Sequence, residues 1–186
     1  MYTTSLTERV AEIVVFLLLL GLPFSCYNPE TKANLKKMMG APVILPEQIA
    51  CIENGTISLL EVGLNEGTKL LVFVDSTECT GCRISDFYKY KPLFEMSEKD
   101  QSFQVVLLLS IPKEKYTEII ELLTVLDNDF PVFVDCQNKF RTLNPTIPDN
   151  RAFHTMTLDP HGKVLLVGDP EKSKSLMRMF QRLIAK

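Results

Sequence analysis

The run Lys69-Leu70-Leu71-Val72-Phe73-Val74 constrains this 186-residue chain more than any other segment. It is apolar without alternation and too short for a buried helix. A strand of that kind is covered on both faces, which calls for an α/β architecture with elements packed on each side of a sheet. Two further apolar runs, at 103–109 and 131–134, repeat the signal. Helical patterns separate the three. The first spans 82–96, with Ile84, Phe87 and Tyr88 on one side and an interruption expected at Pro92. The second opens at Pro112 and carries Tyr116, Ile119, Ile120, Leu123 and Leu126 at helical spacing.

Segments 153–158 and 163–167 form a hairpin around Asp159-Pro160-His161-Gly162. Asp169-Pro170-Glu171 then supplies a cap, a first-turn proline and a first-turn acid for a last helix. That helix has the stripe Leu176, Met179, Phe180, Leu183 and Ile184. Upstream, Val43-Ile44-Leu45 and 56–60 read as short strands around the turn residues Glu53-Asn54-Gly55. Residues 34–39 read as a helical turn ended by Gly40. From residue 69 the order is β-α-β-α-β, then a hairpin, then α. It predicts a central mixed β-sheet flanked by helices, with an N-terminal strand extension.

Before this body the chain reads differently. Residues 10–22 are mostly apolar, follow Arg9, and contain an uncharged stretch, 13–22, shorter than a membrane-spanning helix needs. Leu22-Pro23-Phe24-Ser25-Cys26 resembles the lipobox of bacterial lipoproteins, which implies lipidation at Cys26. The expected organisation is a signal peptide at 1–25, a lipid-attached tether at 26–41 and the folded domain at 42–186. The chain would then be exported, held by its lipid to a bacterial membrane and facing the periplasm, since no acidic run follows Cys26. A formal net charge of −3 with no clustered basic surplus argues against nucleic-acid binding.

The chemistry centres on Thr77-Glu78-Cys79-Thr80-Gly81-Cys82, directly after the first buried strand. Cysteines three apart serve as a redox pair, a structural staple or half of a metal site. A helix N-terminus stabilises thiolate through its partial positive charge and free N–H groups, and thiolate is the attacking species. Cys79, before the helix, is the expected exposed nucleophile. Cys82, one turn inside, is the expected covered, resolving thiol. Gly81 eases the entry into the helix, Arg83 adds positive potential and Glu78 opposes it. Thr80, Gly81 and Phe153 are expected to face the substrate.

A strand, Cys-x-x-Cys at a helix start and β-α-β-β-α afterwards resemble the thioredoxin superfamily. Phe130-Pro131-Val132-Phe133-Val134-Asp135 and Thr157-Leu158-Asp159-Pro160-His161-Gly162-Lys163-Val164 resemble landmarks of its exported, membrane-tethered branch, and Val74-Asp75-Ser76 ahead of the cysteines with Phe153-His154-Thr155-Met156-Thr157-Leu158-Asp159 resembles a group of thioredoxin-like lipoproteins of Gram-negative bacteria. The resemblance covers about residues 45–184. It implies a thioredoxin-like fold and thiol–disulfide exchange, with Cys79 as nucleophile and Cys82 as resolving thiol. It also implies protein thiol or disulfide clients and an exported or membrane electron donor, without a cofactor. Against the pattern, Thr80-Gly81 replaces Gly-Pro, Phe73 stands where a buried acid is usual, and Phe153 stands at the place of the cis-proline.

Two rival readings remain. One is a non-catalytic binding or assembly module on the same scaffold. The other is a metal site completed by His154, although a closed zinc site takes four ligands and no second Cys-x-x-Cys exists; no metal is expected. A peroxidase would need proline and threonine seven and three residues before a cysteine, and none fits. Cys51 and Cys136 are expected as small packed residues, with a disulfide between them as the alternative.

Overall fold

The structure is a computed structural model that describes residues 28–60, 62, 67–78, 80–126 and 128–185. The expected signal peptide and Cys26 lie outside the described residues. Helix α1 covers Pro29–Met38 and ends at Gly40, whose φ of +75° is the left-handed conformation glycine accepts at a helix end. The compact body that carries the sheet begins at Asn34. Met38 is buried in it, the Gly40 N–H donates to Val164 O, and the Val164 N–H donates to Ala41 O. Met38, Gly40 and Ala41, within the segment that the sequence assigns to the tether, thus contact this body. No helix among the described residues is long and apolar enough to cross a membrane.

Seven strands form one mixed sheet. They are β1 (Ile49–Glu53), β2 (Thr56–Leu60), β3 (Thr68–Val74), β4 (Phe103–Ser110), β5 (Val132–Asp135), β6 (Thr155–Leu158) and β7 (Val164–Val167). Their order across the sheet is β2-β1-β5-β4-β3-β6-β7. The β3, β4 and β5 strands are parallel, and antiparallel pairs extend both sides. The β1–β2 hairpin is the expected strand extension. Its first strand is Ile49–Glu53 rather than 43–45, because Asn54 and Gly55, both at positive φ, make a two-residue turn that requires a strand immediately before it.

The expected first long helix divides into α2 (Thr80–Asp86), a 3₁₀ turn and α3 (Lys91–Asp100). Pro92 sits in the first turn of α3, where its missing N–H leaves no bond unmade. The remaining helices are α4 (Tyr116–Leu126), α5 (Lys139–Leu143) and α6 (Lys174–Ile184). Asp169 caps only a 3₁₀ turn. Ser173 caps α6, accepting from the Leu176 N–H at 3.4 Å.

Alternation along the strands sends side chains into two cores. Leu70, Val72 and Val74 meet Ile84, Phe87, Leu93, Ile119, Leu123 and Phe180 from helices α2, α3, α4 and α6 and the 3₁₀ turn before α3. Leu71 and Phe73 face the other way, with Met38, Val43, Phe140, Ile147 and Phe153. Cys51 lies in this second core, while Cys136 packs against the first. The two thiols are thus on opposite sides of the sheet, and both are free. Burial, and then Glu53, pushes the Cys51 thiol up to about 12, so it stays protonated at neutral pH.

Candidate active site

The carboxyl end of β3 gathers the site. Strand β3 lies inside the sheet between β4 and β6, so the turn that leaves it is held from both sides. Asp75 shapes the turn: its Oδ1 accepts from the Thr77 N–H at 3.0 Å and the Thr77 hydroxyl at 2.9 Å. Its other oxygen accepts from Arg141 Nε. Burial raises the pKa of Asp75, but the bonds from Thr77 and Arg141 outweigh it and hold the carboxyl below its ordinary range.

Helix α2 begins at Thr80, which is buried, as is Ile84 one turn later. With those two facing the core, Gly81 and Cys82 face outward, and both are exposed. The expectation that Cys82 would be covered therefore fails, because the helical rotation that buries Thr80 turns residue 82 to solvent. Cys79 lies outside the described residues. Gly81 has no need of its freedom: its φ is not positive, and a Cβ there would meet nothing within 4 Å.

Phe153, expected to face a substrate, is only 3% exposed and belongs to the second core with Phe73 and Phe140. The 3₁₀ turn Arg151–Phe153 explains this. Asn150 caps it by accepting from the Ala152 N–H at 2.9 Å, and the turn directs the phenyl ring inward while Arg151 and Ala152 stay exposed. No cis peptide bond lies among the described residues. A cleft of about 310 Å³ opens beside α2, lined by Arg83, Arg151, Thr155, Asp169 and Lys172 among others. On its far side Asp169 Oδ2 accepts from Lys89 Nζ at 2.8 Å and the Tyr90 hydroxyl at 2.9 Å.

A cluster of charged side chains, which sequence reading missed, sits under the β3 turn. Arg141 on α5 reaches Asp75, donates from Nη1 to Ile147 O at 2.8 Å, and meets Asp149 at 3.5 Å. Its Nη2 lies 3.0 Å from His154 Nε2. His154 Nδ1 lies 3.2 Å from Glu78 Oε1, which also accepts from the Asp75 N–H. Glu78 Oε2 lies 3.3 Å from Arg83 Nε, an ion pair without hydrogen-bond geometry, and Arg83 Nη1 meets Asp86 at 3.5 Å. The charges expected to act on the cysteines, Glu78 against and Arg83 for, are thus paired with each other. His154 is 1% exposed with both ring nitrogens engaged, which withdraws it from the rival metal site. Among the described residues no three His, Cys, Asp or Glu side chains converge as a metal site would require. The sequence singles out Glu78, Arg83 and His154 one by one but does not join them; Arg141 is 66 residues from its partner Asp75.

No protein-family model matches the chain, and no curated protein matches it. Solved structures do. A protein described as a thiol:disulfide interchange protein, DsbE, from Chlorobium tepidum is 19% identical over 77% of this chain and 98% of its own, with a TM-score of 0.50. The mitochondrial 2-Cys peroxiredoxin of Plasmodium falciparum is 15% identical over 78% of this chain and 94% of its own, also at 0.50. The thioredoxin domain of a thiol–disulfide oxidoreductase from Bacteroides vulgatus is 16% identical over 76% and 96%, at 0.48. At such identities the first two establish one thing, the fold: it is thioredoxin-like.

Proposed function

We propose that this thioredoxin-fold chain is an exported, membrane-tethered thiol–disulfide oxidoreductase that acts on protein thiols or disulfides through Cys79 and Cys82. The observation that carries the reading is the placement of Cys82. It stands exposed in the first turn of α2, at the carboxyl end of an interior strand and on the helix that also lines the open cleft. Sequence puts Cys79 immediately before Thr80, the first residue of that helix, where free N–H groups favour a thiolate.

In the reductive direction, the Cys79 thiolate attacks one sulfur of a client disulfide. A mixed disulfide forms and the client's other sulfur leaves as thiolate. The Cys82 thiolate then attacks the mixed disulfide, freeing the second client thiol and closing the Cys79–Cys82 bond. An exported or membrane dithiol donor returns two electrons and two protons to the pair. Cys26 supplies the lipid anchor in this reading. The exposure of Cys82 removes burial as the reason for assigning roles; precedence of Cys79 at the helix start is the reason that remains.

A second reading, a non-catalytic binding module, is favoured by Phe153, which the second core buries instead of offering it to a client. One experiment separates the two. The full chain is equilibrated in thiol–disulfide buffers, and Cys79 and Cys82 are mass-tagged. A reversible, buffer-dependent closing of the pair is expected. The Cys82→Ser variant is expected to accumulate client proteins as mixed disulfides and Cys79→Ser is not. Two thiols that never close, or that stay closed in every buffer, would overturn the redox reading.

A further inference from the structure

The two edges of the sheet are finished differently. At one, the chain covers the start of β7 itself: Val164 donates its N–H to Ala41 O at 3.0 Å and accepts from the Gly40 N–H at 2.9 Å. At the other, β2 is paired on one side only, with β1. The turn decides which of its main-chain groups are left over. Asn54-Gly55 is a two-residue turn, so Glu53 and Thr56 beside it form a hydrogen-bonded pair, and such pairs recur at every second position, Cys51–Ser58 and Ile49–Leu60. The N–H and C=O groups of Ile57 and Leu59 therefore point away from β1, and no main-chain hydrogen bond reaches them among the described residues.

The same two residues carry exposed apolar side chains. All of β2 is exposed, with Ile57 at 52% and Leu59 at 74%. They stand opposite Ile52 and Ala50, which belong to the first core, so both lie on that face of the sheet, one strand beyond the core. The devices that keep an edge strand from pairing are missing here. Residues 54–60 contain no charged residue and no proline, and the hairpin register runs without a bulge.

Such an edge is complementary to itself. Turned about a two-fold axis at Ser58, two β2 strands run antiparallel, with Ile57 opposite Leu59 of the partner subunit and Leu59 opposite the partner's Ile57. These are the residues with outward main-chain groups, so all the free groups of both strands are satisfied together. Their side chains meet on one face as apolar cross-strand pairs, Ser58 meets Ser58 of the partner subunit on the other, and no charge is buried. A shift of one residue loses both matches.

We propose that the chain forms a two-fold homodimer by antiparallel pairing of β2 with β2 of a second copy, centred on Ser58, which joins the two seven-stranded sheets edge to edge. The inference is independent of the redox reading.

Register makes it testable. Residue 58 falls on a non-hydrogen-bonded pair, whose Cα atoms are about 4.5 Å apart, within the roughly 4.4–6.8 Å that a disulfide spans. Thr56, exposed on the same face of the strand, stands roughly 13 Å from its own counterpart, four residues further along, and is out of reach. The full chain is used in detergent solution, in a Cys51→Ala background that removes the thiol opposite Ser58 within the hairpin. On oxidation, Ser58→Cys is expected to give a linked dimer whose bond maps by peptide mass to residue 58 of both copies, at least about tenfold faster than Thr56→Cys. Separately, the reduced wild type is expected to sediment as a monomer–dimer equilibrium. Leu59→Lys sets a charge into both cross-strand pairs and is expected to raise the dimer's dissociation constant about tenfold or more. Circular dichroism confirms that each variant is folded. A wild type that sediments as a monomer at every concentration, a dimer that Leu59→Lys leaves intact, or linkage as fast from Thr56→Cys as from Ser58→Cys would each overturn the proposal.

Discussion

The two faces of the sheet are closed by different means. One is covered by α2, α3, α4 and α6 and is filled by Val72, Phe87, Leu107, Ile119, Phe180 and their neighbours. The other is covered by the end of α1, the five-residue α5 and irregular chain from 144 to 153. Helices satisfy their own backbone groups, so helical cover can be apolar. Irregular cover cannot. On the second face side chains take the place of a helix ladder. Asp135 Oδ2 accepts from the Phe140 N–H at 2.8 Å. The Asn144 amide donates to Ile44 O and Phe140 O and accepts from the Ile44 N–H, each at 2.8 Å. Arg141 caps Ile147 O. The face with less helical cover thus holds the buried charge that reaches the turn before the cysteines.

The comparison is broken most directly by removing the ring on which the polar face is built. Phe140 is fully buried, 4.5 Å between centroids from Phe73, on the same short helix as Arg141. Phe140→Ala is expected to destabilise the chain by about 3–5 kcal/mol, as is Phe180→Ala on the apolar face. The two should differ in a second measurement. Only Phe140→Ala should expose 144–153 to proteolysis under native conditions, because that segment has no helix ladder of its own. Equal protection in both variants would mean the irregular cover is held by something other than the α5 anchor.

Acidification sharpens the same contrast. The folded-state pKa of Asp75 is depressed, so its contribution is present above the unfolded value, near 4, and is lost as pH falls below that through the folded value. The wild type is expected to lose stability progressively below about pH 4, as followed by urea midpoints. Asp75→Asn should start less stable at pH 7 and show a shallower decline. An unchanged slope would place the acid sensitivity in another carboxylate and remove Asp75 as the keystone of the polar face.

The helical face was largely legible in the sequence. Continuous apolar runs at 69–74 and 103–109 gave interior strands, and 3.6-residue spacing gave α4 and α6, since both signals are local. What stayed hidden was non-local or set by a single rotation. Val43-Ile44-Leu45 looked like a strand because apolar and β-branched, yet the Asn54-Gly55 turn chose Ile49–Glu53 as its partner. Its place one turn inside the helix predicts a covered Cys82; the buried Thr80 and Ile84 turn it outward. Phe153 followed from its register with an absent proline, and the Asn150-capped turn directed it inward. The Asp75–Arg141–His154–Glu78 cluster draws on three separate parts of the chain and has no sequence period by which to find it.

The smallest expected effect concerns α2, the helix that carries the exposed Cys82 and covers part of the apolar face. Gly81 was read as a residue needed for a tight entry, which predicts that any side chain there is destabilising. The structure implies the opposite sign. Gly81 is the second residue of α2, exposed, without positive φ and with open space where a Cβ would go. Replacing glycine by alanine at such a helical position reduces the freedom of the unfolded chain and exposes no strain, a gain of about 0.5 kcal/mol. Gly81→Ala should therefore raise the urea midpoint slightly without altering the denaturant slope. The added methyl group also lies beside the exposed Cys82, so alkylation by iodoacetamide should change less than about twofold if the helix start is otherwise undisturbed, a difference of under half a pKa unit. A lowered midpoint would mean that residue 81 leaves helical geometry in solution, and that the apolar face is more loosely closed at the start of α2 than along the rest of its helices.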